Sequence, residues 1–104
     1  MNIKIDSQQN NEEILVHVAG EIDVYTAPRL KEELVPLVGG ENKKLTVSLK
    51  DVSYMDSTGL GLFIGLFKQL KQNDGELKLI DLSDRLKRLF EITGISNIIH
   101  ISTE

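Results

Sequence analysis

Two hydrophobic periods alternate along this chain and divide it into predicted strands and helices. Apolar residues occupy every second position at residues 3–5, 14–18 and 45–49, a spacing typical of strands with one buried face. Helical spacing follows in other stretches, for example at Leu30, Leu34 and Leu37, which are expected to form a buried stripe. The predicted order is β-β-α-β-α-β-α-β. Strands are expected at residues 3–6, 13–19, 45–50, 77–82 and 96–101, and helices from 26 or 27 to before 39, around 60–70, and from about 84 to 94.

The order of elements predicts an α/β fold with a mixed, mainly parallel sheet. The first two strands are joined by a polar turn at residues 8–12 and form an antiparallel hairpin at one edge, and Gly20 is expected to end the second strand. Strands that alternate with helices pair in parallel through right-handed crossovers. Because Thr46, Ser48 and Lys50 are polar, the helices are expected mainly on one sheet face. Residues 1–104 are expected to form a single domain.

The junction between the central strand and the second long helix carries the most informative residues. The chain becomes more polar between Asp51 and Thr58, and an apolar helical segment follows. Ser57 is the predicted helix cap, with Asp56 and Thr58 as alternatives one residue away. Glycines at positions 59, 61 and 65 each destabilise a helix interior by about 1 kcal/mol relative to alanine. Their presence is explained if a backbone or a ligand approaches the helix closely at these positions. Since this helix is apolar nearly all round, part of its first two turns is expected to face a partner.

Composition and charge narrow the classes of function. The chain has 104 residues, a net charge of −4 and no cysteine, which excludes disulfides, thiolate catalysis and cysteine-ligated metals. The negative charge argues against direct nucleic-acid binding, and a basic cluster at Arg85, Lys87 and Arg88 is interpreted as a solvated helix face offset by neighbouring acids. The start lacks a signal-peptide pattern, and the longest apolar run is too short for a membrane span. A cytoplasmic protein without membrane association is the expectation.

Catalytic chemistry finds little support. A serine nucleophile needs a base within hydrogen-bond reach, and the histidines, His17 and His100, lie far from Ser57 in sequence. The glycines lack the Lys-Ser/Thr pair of a phosphate-binding loop, and no histidine pair has metal-ligand spacing. No enzyme activity, cofactor or metal is therefore predicted. A phosphorylation switch remains, because a phosphoryl group on Ser57, or alternatively Thr58, adds a charge of about −1.5 to −2.

The residues of this junction resemble a known family. The segment Asp56-Ser-Thr-Gly-Leu-Gly61, placed after an apolar strand and before a helix, is similar to the phosphorylation site of the bacterial anti-sigma-factor antagonists, which are free-standing STAS-domain proteins. The segment Gly20-Glu-Ile-Asp23, followed by Pro28, resembles the second characteristic segment of that family. The similarity extends over essentially the whole chain and implies the STAS arrangement of helices on one sheet face.

The resemblance implies a specific partner-switching cycle. The unmodified protein would bind an anti-sigma factor that is also an ATP-dependent serine kinase, with Mg-ATP held by that kinase, and would release the sigma factor. Phosphorylation of Ser57 would abolish binding, and a metal-dependent serine phosphatase would reverse the modification. Asp23 is expected at the interface beside the kinase nucleotide site. The remainder of the expected contact patch consists of Met55, Asp56, Thr58, Gly59, Leu60 and Gly61.

Two other classes stay open at this point. The chain could be a STAS scaffold subunit in a larger signalling assembly, where stable self-association without a kinase would be observed. It could also be a nucleotide-binding or hydrolytic enzyme, where turnover or tight ATP binding by the isolated chain would decide.

Overall fold

A five-stranded sheet organises the computed structural model, which describes residues 2–101. The strands follow the order β1-β2-β3-β4-β5, with β1 antiparallel to β2 and all other neighbours parallel. The elements are β1 Ile3–Asn10, β2 Glu13–Ile22, α1 Ala27–Leu34, β3 Lys44–Met55, α2 Ser57–Gln72, β4 Glu76–Ile80, α3 Asp84–Ile92 and β5 His100–Ile101, with short 3-10 helices at Val35–Val38 and Ile95–Asn97. The predicted order and the antiparallel edge are confirmed.

One hydrophobic core joins the helices to one face of the sheet. Alternate residues of the strands are buried, such as Val16 in β2 and Val47 in β3, together with Leu30 of α1 and Phe63 of α2. On the opposite face Leu15 is 46% exposed, which shows that this face is only partly covered. The predicted distribution of helices is therefore confirmed, and it follows from the alternation of apolar and polar residues along the strands.

The hairpin at the sheet edge is longer than predicted. The polar residues of β1 pair with β2 as far as Asn10 opposite Glu13, so the turn is limited to residues 11 and 12 and not the predicted 8–12. Asn11 adopts a φ of +59°, a conformation that asparagine tolerates better than most residues. Polar residues can continue this strand because it lies at the edge and its side chains face solvent.

Gly20 does not end β2, contrary to the prediction. The strand runs on to Ile22 through shifts in its register with β3 on either side of this glycine. Gly20 has a φ of +109°, and a Cβ atom there would collide with the backbone oxygen of Asn2. The glycine therefore permits a bulge inside the strand, which carries β2 to the loop before α1.

Two local predictions from hydrophobic spacing also need correction. After Leu34 the chain tightens into the 3-10 helix that contains Pro36, so Val38 is fully buried and Leu37 only partly. The predicted strand at 96–101 is instead a 3-10 turn followed by the short β5. Ile95 and Ile99 are both buried, and the Ile99 amide donates to the Ile95 oxygen at 2.9 Å, so their spacing of four is helical in character.

Candidate functional site

The start of α2 is capped by Asp56 and not by Ser57. Asp56 has extended backbone angles, and its Oδ1 accepts a hydrogen bond from the Thr58 amide at 2.9 Å. The amides of Gly59 and Leu60 donate to the backbone oxygen of Asp56 at 3.1 and 3.2 Å. The predicted cap is thus wrong by one residue, and this changes the role of the Ser57 hydroxyl. Because the carboxylate satisfies the helix amide, the Ser57 hydroxyl is not needed for capping.

Ser57 occupies the first position of α2 and is exposed, as is Thr58 beside it. Among residues 2–101, no side-chain hydrogen bond involves the Ser57 hydroxyl. A phosphoryl group on this oxygen would point into solvent near the positive end of the helix dipole. The position is open to an enzyme that approaches from outside.

The three glycines of α2 play different roles, which the sequence did not separate. A Cβ atom on Gly59 would lie 2.7 Å from Met55 Cγ and 2.9 Å from Ile22 Cγ2, so this glycine lets the helix pack closely on the strand ends. A Cβ atom on Gly61 or Gly65 would meet nothing within 4 Å. Those two glycines are exposed and leave a strip of α2 backbone open at the surface.

Asp23 lies in the loop between β2 and α1 and is only 4% exposed. Its Oδ1 accepts hydrogen bonds from the amides of Tyr25 and Thr26 at 2.9 and 3.0 Å. The Thr26 hydroxyl accepts from the Asp23 amide at 3.0 Å and donates to the backbone oxygen of Glu21 at 2.7 Å. Within the described residues the buried Oδ2 has no hydrogen-bond partner. The carboxylate thus organises the loop from inside.

The turn held by Asp23 presents apolar side chains that sequence reasoning missed. Val24 is 60% exposed and Tyr25 is 77% exposed. The signal was an apolar pair inside an otherwise polar loop. Val24 lines a groove of about 590 Å³ between α1 and α2, and Thr58 and Gly61 line it from the other side. The remaining lining residues are Ala27, Pro28, Lys31, Val35, Leu62, Gly65, Leu66 and Gln69.

The predicted contact residues divide by accessibility. Ser57, Thr58 and Gly61 are exposed, and Asp56 is half-buried. The buried members are Asp23, Met55, Gly59 and Leu60. The structure therefore brings the predicted residues into one neighbourhood, with some on the surface and others directly beneath it.

His17 does not lie beside Ser57. Its Nε2 is 2.8 Å from Asp51 Oδ2, and its β3 neighbour in the sheet is Ser48. Across residues 2–101, no cluster of three or more His, Asp or Glu side chains has a metal-binding arrangement. None of the helices described is both long enough and apolar enough to cross a bilayer.

The fold and this site define a small mixed α/β domain that presents a serine at the start of a helix beside an open groove. Comparison with known proteins gives the family. The model of the STAS domain matches residues 4–104. The anti-sigma-B factor antagonist of Bacillus subtilis (strain 168) is 58% identical over 104 residues, covering all of this chain and 94% of that protein. The protein of the same name from Staphylococcus aureus (strain NCTC 8325 / PS 47) is 48% identical, covering 98% and 94%. The chain belongs to the STAS domain family, as one of its anti-sigma-factor antagonists.

Solved structures share the fold at lower identity. An anti-sigma factor antagonist from Mycobacterium paratuberculosis superposes with a TM-score of 0.87 at 22% identity, covering 99% of this chain and 87% of that one. The unphosphorylated form of the anti-sigma factor antagonist SpoIIAA gives a TM-score of 0.82 at 20% identity, covering 97% and 90%. These similarities confirm the architecture predicted from the sequence.

Proposed function

We propose that the unphosphorylated protein binds an anti-sigma factor that is also a serine kinase, and that phosphorylation of Ser57 abolishes this binding. The observation that carries the proposal is the exposed Ser57 hydroxyl at the first position of α2, which the Asp56 cap leaves available. The names of the Bacillus and Staphylococcus relatives support an anti-sigma-B factor as the partner. In this cycle the protein acts by binding in the cytoplasm and not by catalysis. Mg-ATP is held by the kinase, and a metal-dependent phosphatase restores the serine.

The domain itself tolerates the modification for electrostatic reasons. A phosphoryl group adds about −1.5 to −2 charges and three acceptor oxygens. At the start of a helix, a negative charge interacts favourably with the dipole by roughly 0.3–1 kcal/mol. Because Ser57 is exposed, the phosphate stays hydrated and displaces no packed group. Folding stability should therefore change little.

A docked partner experiences the opposite balance. A protein surface that covers Ser57 and the adjoining Thr58 and Gly61 would remove water from the phosphate next to the Asp56 carboxylate. The Tyr54 hydroxyl lies 3.5 Å from Asp56 Oδ2, and neither side chain carries a positive charge that could neutralise the phosphate. An uncompensated buried charge costs several kcal/mol, and 2.8 kcal/mol corresponds to about a hundredfold in affinity. Phosphorylation therefore releases the partner without unfolding the domain.

The surface available for this contact is formed by exposed residues. We assign direct contact to three exposed residues of α2, Ser57, Thr58 and Gly61. Val24 across the groove and its exposed neighbour Tyr25 complete the surface. Aromatic side chains such as Tyr25 are frequent binding hot spots. The buried residues Asp23, Met55, Gly59 and Leu60 shape this surface from below.

The first experiment locates the phosphate. The purified protein is incubated with its anti-sigma factor and Mg-ATP, and the site is identified by mass spectrometry. One phosphate on Ser57 is expected, with none in Ser57→Ala and unchanged incorporation in Thr58→Ala. Phosphate confined to Thr58, or none with an active kinase, would contradict the proposal.

The second experiment measures affinity by calorimetry. Ser57→Asp should weaken binding of the anti-sigma factor about a hundredfold or more, because a negative charge enters the contact. Ser57→Ala should bind as tightly as the unmodified protein. Ser7→Asp introduces the same change at an exposed serine of the edge strand β1 and serves as the matched control. Equal affinities for the two aspartate variants would refute the mechanism.

A further inference from the structure

A second groove lies on the other side of the Ser57 junction, between the end of β3 and α3. It has a volume of about 320 Å³. Tyr54 and Met55 line it from β3, and the remaining lining residues, all from α3, are Arg85, Leu86, Arg88, Leu89 and Ile92. This α3 groove shares no residue with the groove between α1 and α2.

The α3 groove combines a buried apolar floor with exposed apolar walls. Met55 and Leu86 are 7% and 2% exposed and form the floor. Tyr54 is 43% exposed, and Ile92 is 77% exposed at the last residue of α3. Exposed apolar side chains grouped around a concavity are typical of interaction surfaces, whereas single ones are common anywhere.

Two arginines give this groove a positive charge. Arg85 and Arg88 are exposed, and neither makes a salt bridge or a side-chain hydrogen bond within the part of the chain that the structure describes. Within residues 2–101 the acids Asp84 and Glu91 lower the net charge of α3 but form no salt bridge with these arginines, as expected for a solvated helix face. An unpaired guanidinium can bind a carboxylate with two parallel hydrogen bonds. In a chain with a net charge of −4, this is a local surface suited to acidic groups.

The α3 groove is continuous with the switch. Tyr54, which lines it, is two residues before Asp56, and its hydroxyl lies 3.5 Å from Asp56 Oδ2. A partner that shields Ser57 from solvent would therefore also contact Tyr54 at the edge of the α3 groove. The two contacts differ in chemistry, because the Ser57 side is acidic and the α3 side is basic.

We propose that the α3 groove binds an acidic segment of the anti-sigma factor that inserts an apolar side chain between Tyr54 and Ile92. Carboxylates on this segment pair with Arg85 and Arg88. This inference rests on the proposed function and adds a second contact, which fixes the orientation of the partner and supplies affinity independently of the hydroxyl at Ser57.

The charge component is tested with a double reversal. Arg85→Glu/Arg88→Glu should weaken binding of the anti-sigma factor about tenfold or more at low ionic strength, mainly through slower association. The loss should shrink as salt is raised, because screening weakens charge pairs. Lys68→Glu/Lys71→Glu makes the same change in net charge at exposed positions of α2 and should bind as the unmodified protein does.

The apolar component is tested separately. Ile92→Ala should weaken binding about fivefold or more, since truncated interface anchors commonly cost over 1 kcal/mol. Ile98→Ala, at another exposed isoleucine, should have no effect. Thermal unfolding of all four variants checks that the domain is intact. Because the substituted side chains are exposed, we expect each variant to fold normally.

The outcomes separate this inference from the proposed function. If the unmodified protein binds and Ser57→Asp does not, but the arginine reversal and Ile92→Ala bind normally, the α3 groove is not part of the interface. An equal loss of affinity in the lysine and arginine reversals would show that only net charge matters. That result would also contradict binding at the α3 groove. If the unmodified protein fails to bind an anti-sigma factor at all, both the proposed function and this inference are wrong.

Discussion

Two loops of this molecule use an aspartate in similar ways with opposite results. Asp23, before α1, accepts hydrogen bonds from the amides of Tyr25 and Thr26, and Asp56, before α2, accepts one from the Thr58 amide. Asp23 is 4% exposed, whereas Asp56 is half-buried and is followed by two exposed hydroxyl residues. The local chemistry is shared, and the surroundings differ.

This difference shows how one turn motif encloses its carboxylate in one place and leaves its neighbours exposed in another. Around Asp23 the carboxylate is buried with Thr26, and hydrogen bonds within the turn leave Val24 and Tyr25 exposed. Around Asp56 the cap is at the surface, and the next residue, Ser57, remains exposed to solvent. A buried donor or acceptor is costly to leave unpaired, while an exposed one exchanges its partner for water.

The largest expected effect comes from removing the buried carboxylate. Asp23→Ala leaves the amides of Tyr25 and Thr26 without their acceptor, and an unpaired buried donor costs about 1–3 kcal/mol. We expect the free energy of unfolding in urea to fall by about 2–3 kcal/mol. Asp23→Asn keeps an Oδ1 acceptor and should lose less. A loss in the alanine variant no larger than the roughly 1 kcal/mol expected for the exposed cap at Asp56 would contradict the distinction between the two loops.

A second effect tests the packed side of the α2 start. Gly59→Ala places a methyl group against Met55 and Ile22, and such overpacking costs about 1–3 kcal/mol. Gly61→Ala is the matched control, because a methyl group there meets nothing within 4 Å and alanine favours a helix by up to about 1 kcal/mol. Urea denaturation should therefore give changes of opposite sign. The same sign for both would contradict the distinction between the two glycines.

The smallest effect belongs to the exposed cap. Asp56→Ala removes the hydrogen bond to the Thr58 amide and should reduce the free energy of unfolding by about 1 kcal/mol, the usual contribution of a helix cap. Water replaces the lost acceptor, so the loss should be clearly smaller than for Asp23→Ala. Circular dichroism during thermal unfolding measures both variants side by side. A reversed order would break the comparison between buried and exposed turns.

Most of the architecture could be predicted from local patterns. Alternation at residues 45–49 and helical spacing at Leu30 and Leu34 reflect which face of an element is buried, and these patterns are properties of the chain itself. The predictions failed where a neighbour decided the outcome, as in the bulge at Gly20, which depends on the backbone of Asn2. The cap was misplaced by one residue because three consecutive polar residues are all competent acceptors, and only the backbone path selects Asp56.

By itself the sequence determined the order of strands and helices and the family resemblance, and it singled out Ser57 as the candidate phosphorylation site. Only the tertiary structure decided that Asp23 is buried while Val24 and Tyr25 are exposed, that Gly59 is needed for packing while Gly61 is open, and that Arg85 and Arg88 border an apolar groove. The physical reason is that periodicity records whether a position faces the core of its own element. Accessibility, packing distance and charge pairing depend on residues that are remote in the chain and become neighbours only in the folded domain.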